Sequence, residues 1–386
     1  MWFRLIGFVA VLLLGQAHAQ EANPVMQHYR AYAAALDRGD LTAAEAAAAA
    51  ALATSETRDG DGGNTAALAA NLAQVRLDLN RPADALQPAQ RALALAERRG
   101  DTSPVDPVFA RLLVGRAELT RGDDEAAATI LSALGQAEAR GGLNAEGYDA
   151  ALALGRWHLR NGRYLRAAEA YARAGRFVTG DSEGEALARA DAATNRGIAL
   201  MYSEQASYTM TTGTRLQRRP ASGAEIAFAE ALGASRPFVT ASSGAERVTA
   251  AERSYGRALA WASALRAQLF SLGWPAPEEV TEYGGITFSR GSNPPCRTRW
   301  IAEPRPRFPA EAEFRGLVGS AVLRVVTDES GAIVERQVVA VAGGDAFAEA
   351  VTSVFQGWRT ELAEGGPTLC DRAMVGLIHV TFLFES

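Results

Sequence analysis

Between Glu21 and Tyr202 the apolar positions are spaced for helices, and the pattern returns every 40–42 residues. Leu36-x-x-Gly39-x4-Ala44, Leu77-x-x-Asn80-x4-Ala85, Leu119-x-x-Gly122-x4-Ala127 and Leu159-x-x-Gly162-x4-Ala167 align without adjustment. One period holds two helices, and Ala51, Ala92, Leu134 and Ala174 carry the register into the second helix of each unit. The glycine or asparagine at each turn suits a left-handed backbone that β-branched residues resist. Gly115, Gly155 and Gly197 mark places in the first helices where a neighbour comes close. Even the run Ala46–Ala51 falls in register as helix, alanine being the best helix former. The predicted class is mainly α, a helical-hairpin solenoid followed by a small α+β domain.

After Tyr202 the register fades. A helix is expected around Ala224–Leu232, and another over Ala245–Leu272 with Ala258, Trp261, Leu265 and Leu269 on one face. This second helix reads as a cap, so the repeat region spans 20–272. Residues 273–303 carry Pro275, Pro277, Pro294 and Pro295 and are predicted to be an extended linker. From 304 to 386 the period changes. Ser320–Thr327 reads as a strand, Asp328-Glu329-Ser330-Gly331 as a turn and Ala332–Val341 as the return strand. Gly343-Gly344-Asp345 opens a helix whose stripe is Phe347, Val351, Val354, Phe355 and Trp358. In the last strand, Ile378, Val380, Phe382 and Phe384 alternate with Leu377, His379, Thr381 and Leu383.

Leu154-Gly155, Ala167 and Tyr171, within Asp149–Val178, give the repeats a resemblance to tetratricopeptide repeats, in a longer version of about 40 residues. That resemblance implies a concave groove for a peptide or protein. Its groove positions map onto Asn71, Arg116, Arg156 and Asn195. In the last stretch, Pro306-x-Phe308-Pro309-x-x-Ala312-x-x-x-Gly316-x-x-Gly319, the hairpin, the glycine pair and Trp358 together resemble the TonB C-terminal domain. The resemblance covers about a fifth of the chain. It implies a periplasmic α+β domain that holds extended partner segments on a sheet edge, the partner of TonB itself being an outer-membrane transporter. On that basis the last strand offers the edge, Leu377, His379, Thr381 and Leu383 present the outward side chains, and Phe308-Pro309 shapes the neighbouring contact. Phe308 stands where the family usually has tyrosine, so that hydroxyl is absent. The implied partners are proteins or peptides, TonB-dependent outer-membrane receptors among them, with pairing of the strand in a homodimer as the alternative use.

Met1–Ala19 has Arg4, an apolar run Leu5–Leu14 and the small-x-small site Ala17-His18-Ala19, the layout of a cleaved signal peptide. The run is shorter than the roughly 20 residues of a spanning helix, so the expected location is the periplasm. The alternative is an inner-membrane anchor through an uncleaved N-terminus. A net charge of -5 and a pI near 5.6 argue against nucleic acid. All 39 basic residues are arginine, which excludes a P-loop or Schiff-base lysine.

Neither HExxH nor CxxC occurs, and His28, His158 and His379 lack ligand spacing. Asp59-Gly60-Asp61-Gly62-Gly63 lacks the downstream glutamate of a calcium loop. No catalytic residue, cofactor or metal is therefore expected, and a binding protein is a better reading than an enzyme. In an oxidising compartment, Cys296 and Cys370 read as a disulfide that would contribute about 4 kcal/mol, with two free thiols as the alternative. Two functions remain open: a TonB-like adaptor in outer-membrane transport, acting by strand addition and through the repeat groove, or an envelope assembly scaffold that works through the groove alone.

Overall fold

The computed structural model describes residues 23–382 apart from 63, 120–121, 123, 143, 210–221, 240–247, 272–286, 289–295, 303–305, 329–331, 355–358 and 363–374. The signal peptide, Trp358, Leu383 and Cys370 lie outside the described residues, as does the side chain of Cys296. The chain divides into two compact units, one ending at Thr179 and the other beginning at Gly180.

The first unit is four helical hairpins: α1 (Pro24–Asp37) with α2 (Leu41–Asp59), α3 (Thr65–Asp78) with α4 (Pro82–Arg99), α5 (Pro107–Glu118) with α6 (Asp124–Arg140), and α7 (Asn144–Arg160) with α8 (Tyr164–Arg176). Each hairpin turns where the register said it would. Gly39, Asn80, Gly122 and Gly162 have φ of 71°, 58°, 80° and 68°. At three of these turns, the amide of Asp40, Arg81 or Arg163 donates back to the carbonyl of Ala35, Arg76 or His158, which satisfies a helix-end acceptor. The close-packed glycines also hold. A Cβ on Gly155 would sit 2.5 Å from the Tyr171 ring, and one on Gly115 would sit 2.4 Å from Ile130. Alanine dominates the interface between hairpins, with Ala44, Ala66, Ala85, Ala89, Ala110 and Ala167 fully buried. Arginines tie successive hairpins on the outside. Glu45 takes both Arg76 and Arg81, and Asp61 takes Arg91 and Arg98, which leaves the Asp59–Gly62 turn an ion-pair site.

The second unit joins three helices to a sheet. α9 (Glu183–Thr209) and α10 (Ser222–Ser235) form a fifth hairpin, with Gly197 set against Phe228, and α11 (Ala250–Ser271) follows. The strands are β1 (Thr287–Phe288), β2 (Cys296–Ala302), β3 (Gly319–Thr327), β4 (Ile333–Ala342), β5 (Arg359–Leu362) and β6 (Val375–Phe382), with the short helices α12 (Ala310–Phe314) and α13 (Asp345–Ser353). Their order is β4-β3-β6-β1-β2-β5, antiparallel throughout. Two strands thus lie inside the stretch predicted to be a linker, because β1 and β2 pair into the sheet through their backbones.

Both faces of β3 are buried. Ala321, Leu323 and Val325 meet Phe347 and Val351 of α13, together with Ile378 and Phe382 of β6, as the alternation predicts. The other face, with Ser320, Val322 and Arg324, is covered by α11. Gly256 of α11 lies so close to the sheet that a Cβ would be 2.6 Å from Val339. The expected cap helix is therefore part of the core of the sheet unit. It carries the unit's buried ion pair, Glu252 to Arg324 at 3.4 Å, each side chain 3% exposed. Glu252 also accepts from the amide of Thr249 at 2.7 Å, closing a capping box at the start of α11.

Candidate protein-binding site

β6 is built to be held rather than left at a border. Along its whole length it pairs with β3, from Val375 opposite Val326 to Phe382 opposite Gly319. On its other side, Gly376 and Leu377 pair with Phe288 and Thr287 of β1. The expectation of a fully open last strand is corrected accordingly. From Ile378 to Phe382, no described strand lies on that second side.

The side chains assigned to the partner are also placed differently from expectation. Leu377 packs into the cluster formed by α11 with β3 and β4. His379 points the same way, and burial and then the charge of Arg266 push its pKa down to about 4, so it is neutral at pH 7. Thr381 alternates onto this face, half-buried opposite the buried Ser320. Leu377 and His379 are covered by α11 because the register that turns Ile378 and Phe382 toward α13 turns them the other way. Phe308 is likewise a core residue, with its ring edge-on to Phe347 and Phe382 at centroid distances of 5.9 and 5.7 Å. The missing tyrosine hydroxyl suits that apolar seat. Pro309 starts α12, its carbonyl accepting from Glu313 at 2.9 Å.

β4 ends the sheet on the far side. It pairs only with β3 among the described residues, but two register shifts interrupt the pairing, and Glu335, Arg336 and Gln337 are exposed. Bulges and charges of this kind blunt an edge against chance pairing.

In the first unit, the first helices α3, α5 and α7 touch in succession and bring part of the expected groove together. Arg116 donates to Gln74 at 3.0 Å and lies 3.6 Å from Asp149, with its side chain 10% exposed. Asn71 sits half-buried one turn before Gln74, and Arg156 is exposed two turns after Asp149. Glu146, one turn before Asp149, has its pKa raised, chiefly by burial. Sequence reasoning passed over Gln74, Glu146 and Asp149, although spacings of three and seven from Asn71 and Arg156 would have found two of them. Asn195 belongs to the second unit. There it is buried and committed, accepting from Arg257 at 2.7 Å and donating to the Asp191 carbonyl, so it is corrected to a structural residue.

The family comparison recognises the stretch that holds the short entry helix α12, the hairpin β3-β4 and α13. Residues 304–374 match the family of Gram-negative bacterial TonB protein C-terminal domains. The TonB-type match takes in α12, β3, β4, α13 and β5, and stops one residue before β6. β1, β2 and α11 precede it. Among solved structures, the chain is similar to the crystal structure of MamA protein, at 18% identity and a TM-score of 0.35, covering 56% of this chain and 94% of that one. No curated protein matches it. Among the described residues, no helix is long and apolar enough to cross a membrane, and no group of histidine, cysteine or acidic residues could hold a metal ion.

Proposed function

We propose that this chain is a protein-binding adaptor of the Gram-negative envelope, exported to the periplasm, that holds an extended segment of a partner by strand addition to its TonB-type sheet and uses its helical repeats as a second docking surface. The observation that carries the reading is the β4-β3-β6 sheet within and beside a TonB C-terminal match, with β6 unpaired by any described strand from Ile378 onward on its second side. Main-chain hydrogen bonds along five residues supply the affinity in such a mode, and the side chains beside them supply the selectivity. TonB-dependent outer-membrane receptors are the partner class that the family suggests. The sheet has α11 on one face and α13 on the other, so the route left to a partner is the border of the sheet.

A photo-crosslinking residue at Thr381, compared with one at Arg156, in full-length chain expressed in a Gram-negative host, tests this. Crosslinks from 381 to an extended segment of an outer-membrane protein are expected. Crosslinks from 156 alone would favour the scaffold that works through the repeats, a reading supported by the cover that α11 places over Leu377 and His379.

A further inference from the structure

A cleft of about 760 Å³ opens between the second helices α6 and α8, floored by Leu154 and His158 of α7. It is not the groove of the first helices. Leu154 and His158 share one side of α7, whereas Arg156 lies between them on the opposite side, exposed. The walls are small and apolar, Ala127 and Ala170 being buried, while Leu131 stands at the lip 53% exposed. In the floor, His158 is 9% exposed and its Nδ1 has no hydrogen-bond partner. Burial, and then the charges of Arg163 and Arg166, push its pKa down to about 4, so the ring is neutral at pH 7 and adds no charge of its own.

The rim decides the ligand. Arg163, Arg166, Arg173 and Arg176 line it. Asp124 holds Arg163 through two hydrogen bonds, at 2.5 and 3.2 Å, and the guanidinium lies 4.9 Å from the centroid of the Trp157 ring. Glu138 holds both Arg173 and Arg176 from the neighbouring hairpin. Glu169 is the remaining acid of the cluster. Four guanidinium groups thus face three carboxylates, and Arg166 has no ion pair among the described residues. The surplus is one positive charge, beside an apolar floor with a neutral imidazole. Guanidinium binds carboxylate in a planar, two-point fashion, and Asp124 and Glu138 are already engaged by the other three arginines.

We propose that this cleft binds an extended peptide segment of a partner protein that offers one carboxylate to Arg166 and an aliphatic side chain to the floor between Leu131 and Leu154. The site is independent of strand addition at the sheet. The test uses the full-length chain and two capped decapeptides, each with two leucines, one with a single aspartate between them and the other with asparagine in its place. By fluorescence anisotropy at low salt, the aspartate peptide is expected to bind about ten-fold more tightly than the asparagine peptide. Arg166→Gln should erase that difference, and Ala128→Trp, which fills the cleft from α6, should weaken both peptides. The ring nitrogen shifts of His158 should move when the aspartate peptide binds to the unaltered chain and stay fixed in Ala128→Trp. Equal affinity for the two peptides, binding of neither, or a difference that survives Arg166→Gln would each overturn the proposal.

Discussion

The hairpins of the first unit and the sheet of the second place the same kinds of residue under different rules. In the hairpins, almost every contact joins elements that follow one another in sequence: α1 with α2, α3 with α4, α4 with α5. A repeating register is therefore enough to locate the turn at Gly162, the close approach at Gly155 and the partner ring of Tyr171. In the sheet, β3 meets β6 across sequence separations of 49 to 63 residues and meets α11 from the other direction. Alternation says which side chains share a face. What covers that face is written elsewhere in the chain, in Glu252, Gly256 and Arg266, none of which stands out locally. Repeats keep their energetics close to the sequence, and a sheet spreads them.

The largest test of that contrast is Glu252→Ala. It removes the buried carboxylate nearest the Arg324 guanidinium, leaving the exposed Glu335 at 4.0 Å, and should cost up to about 3–5 kcal/mol there. Hydrogen exchange read peptide by peptide should show the loss in α11, β3 and β6, and leave the first unit unchanged. Replacing Glu252 and Arg324 together by methionine should return most of the stability.

Acid comes next, and it acts on both units, since each holds one neutral buried histidine. His158 and His379 titrate near 4 in the fold and at the ordinary 6.5 when unfolded. The unfolded chain takes up the proton first. Stability is complete above pH 6.5 and falls as the pH drops from 6.5 to 4, by roughly 2–3 kcal/mol for each site. His158→Gln should flatten the pH slope of the first unit alone, and His379→Gln that of the second alone, as read by denaturant midpoints or by exchange.

Smaller effects sharpen the register argument. Gly155→Ala drives a methyl into the Tyr171 ring and should cost about 1–3 kcal/mol through overpacking. At the turns, Gly39→Val should cost about 1–2 kcal/mol, because a β-branched residue resists the positive φ, whereas Asn80→Gly should be close to neutral. Thermal unfolding midpoints for this pair test whether the four turns are equivalent, as the alignment of Leu36, Leu77, Leu119 and Leu159 implies.

The helices of both regions and the hairpin Ser320–Val341 were legible in the residues themselves, but β1 and β2 were hidden in a Pro-rich stretch read as a linker, β5 was not foreseen, and the helix whose stripe was read out to Trp358 ends at Ser353. Orientation was not. Leu377, His379 and Thr381 read as outward because nothing next to them in sequence covers them, and α11 read as a cap because its apolar face is equally suited to helices or to a sheet. Phe308 read as a contact residue by resemblance, yet two aromatic rings claim it. Arg116 was read as a groove residue, but its neighbours Gln74 and Asp149 come from adjoining hairpins at a distance that a single register does not reveal.

The central claim is that α11 and the TonB-type sheet fold as one body. Native-state hydrogen exchange on the full-length chain measures this directly. The account predicts that the slowest amides of α11 and those of β3 open with the same free energy and lose it together in Glu252→Ala. If α11 instead exchanges with α1–α8 while β3 and β6 keep their protection in that variant, the account is contradicted.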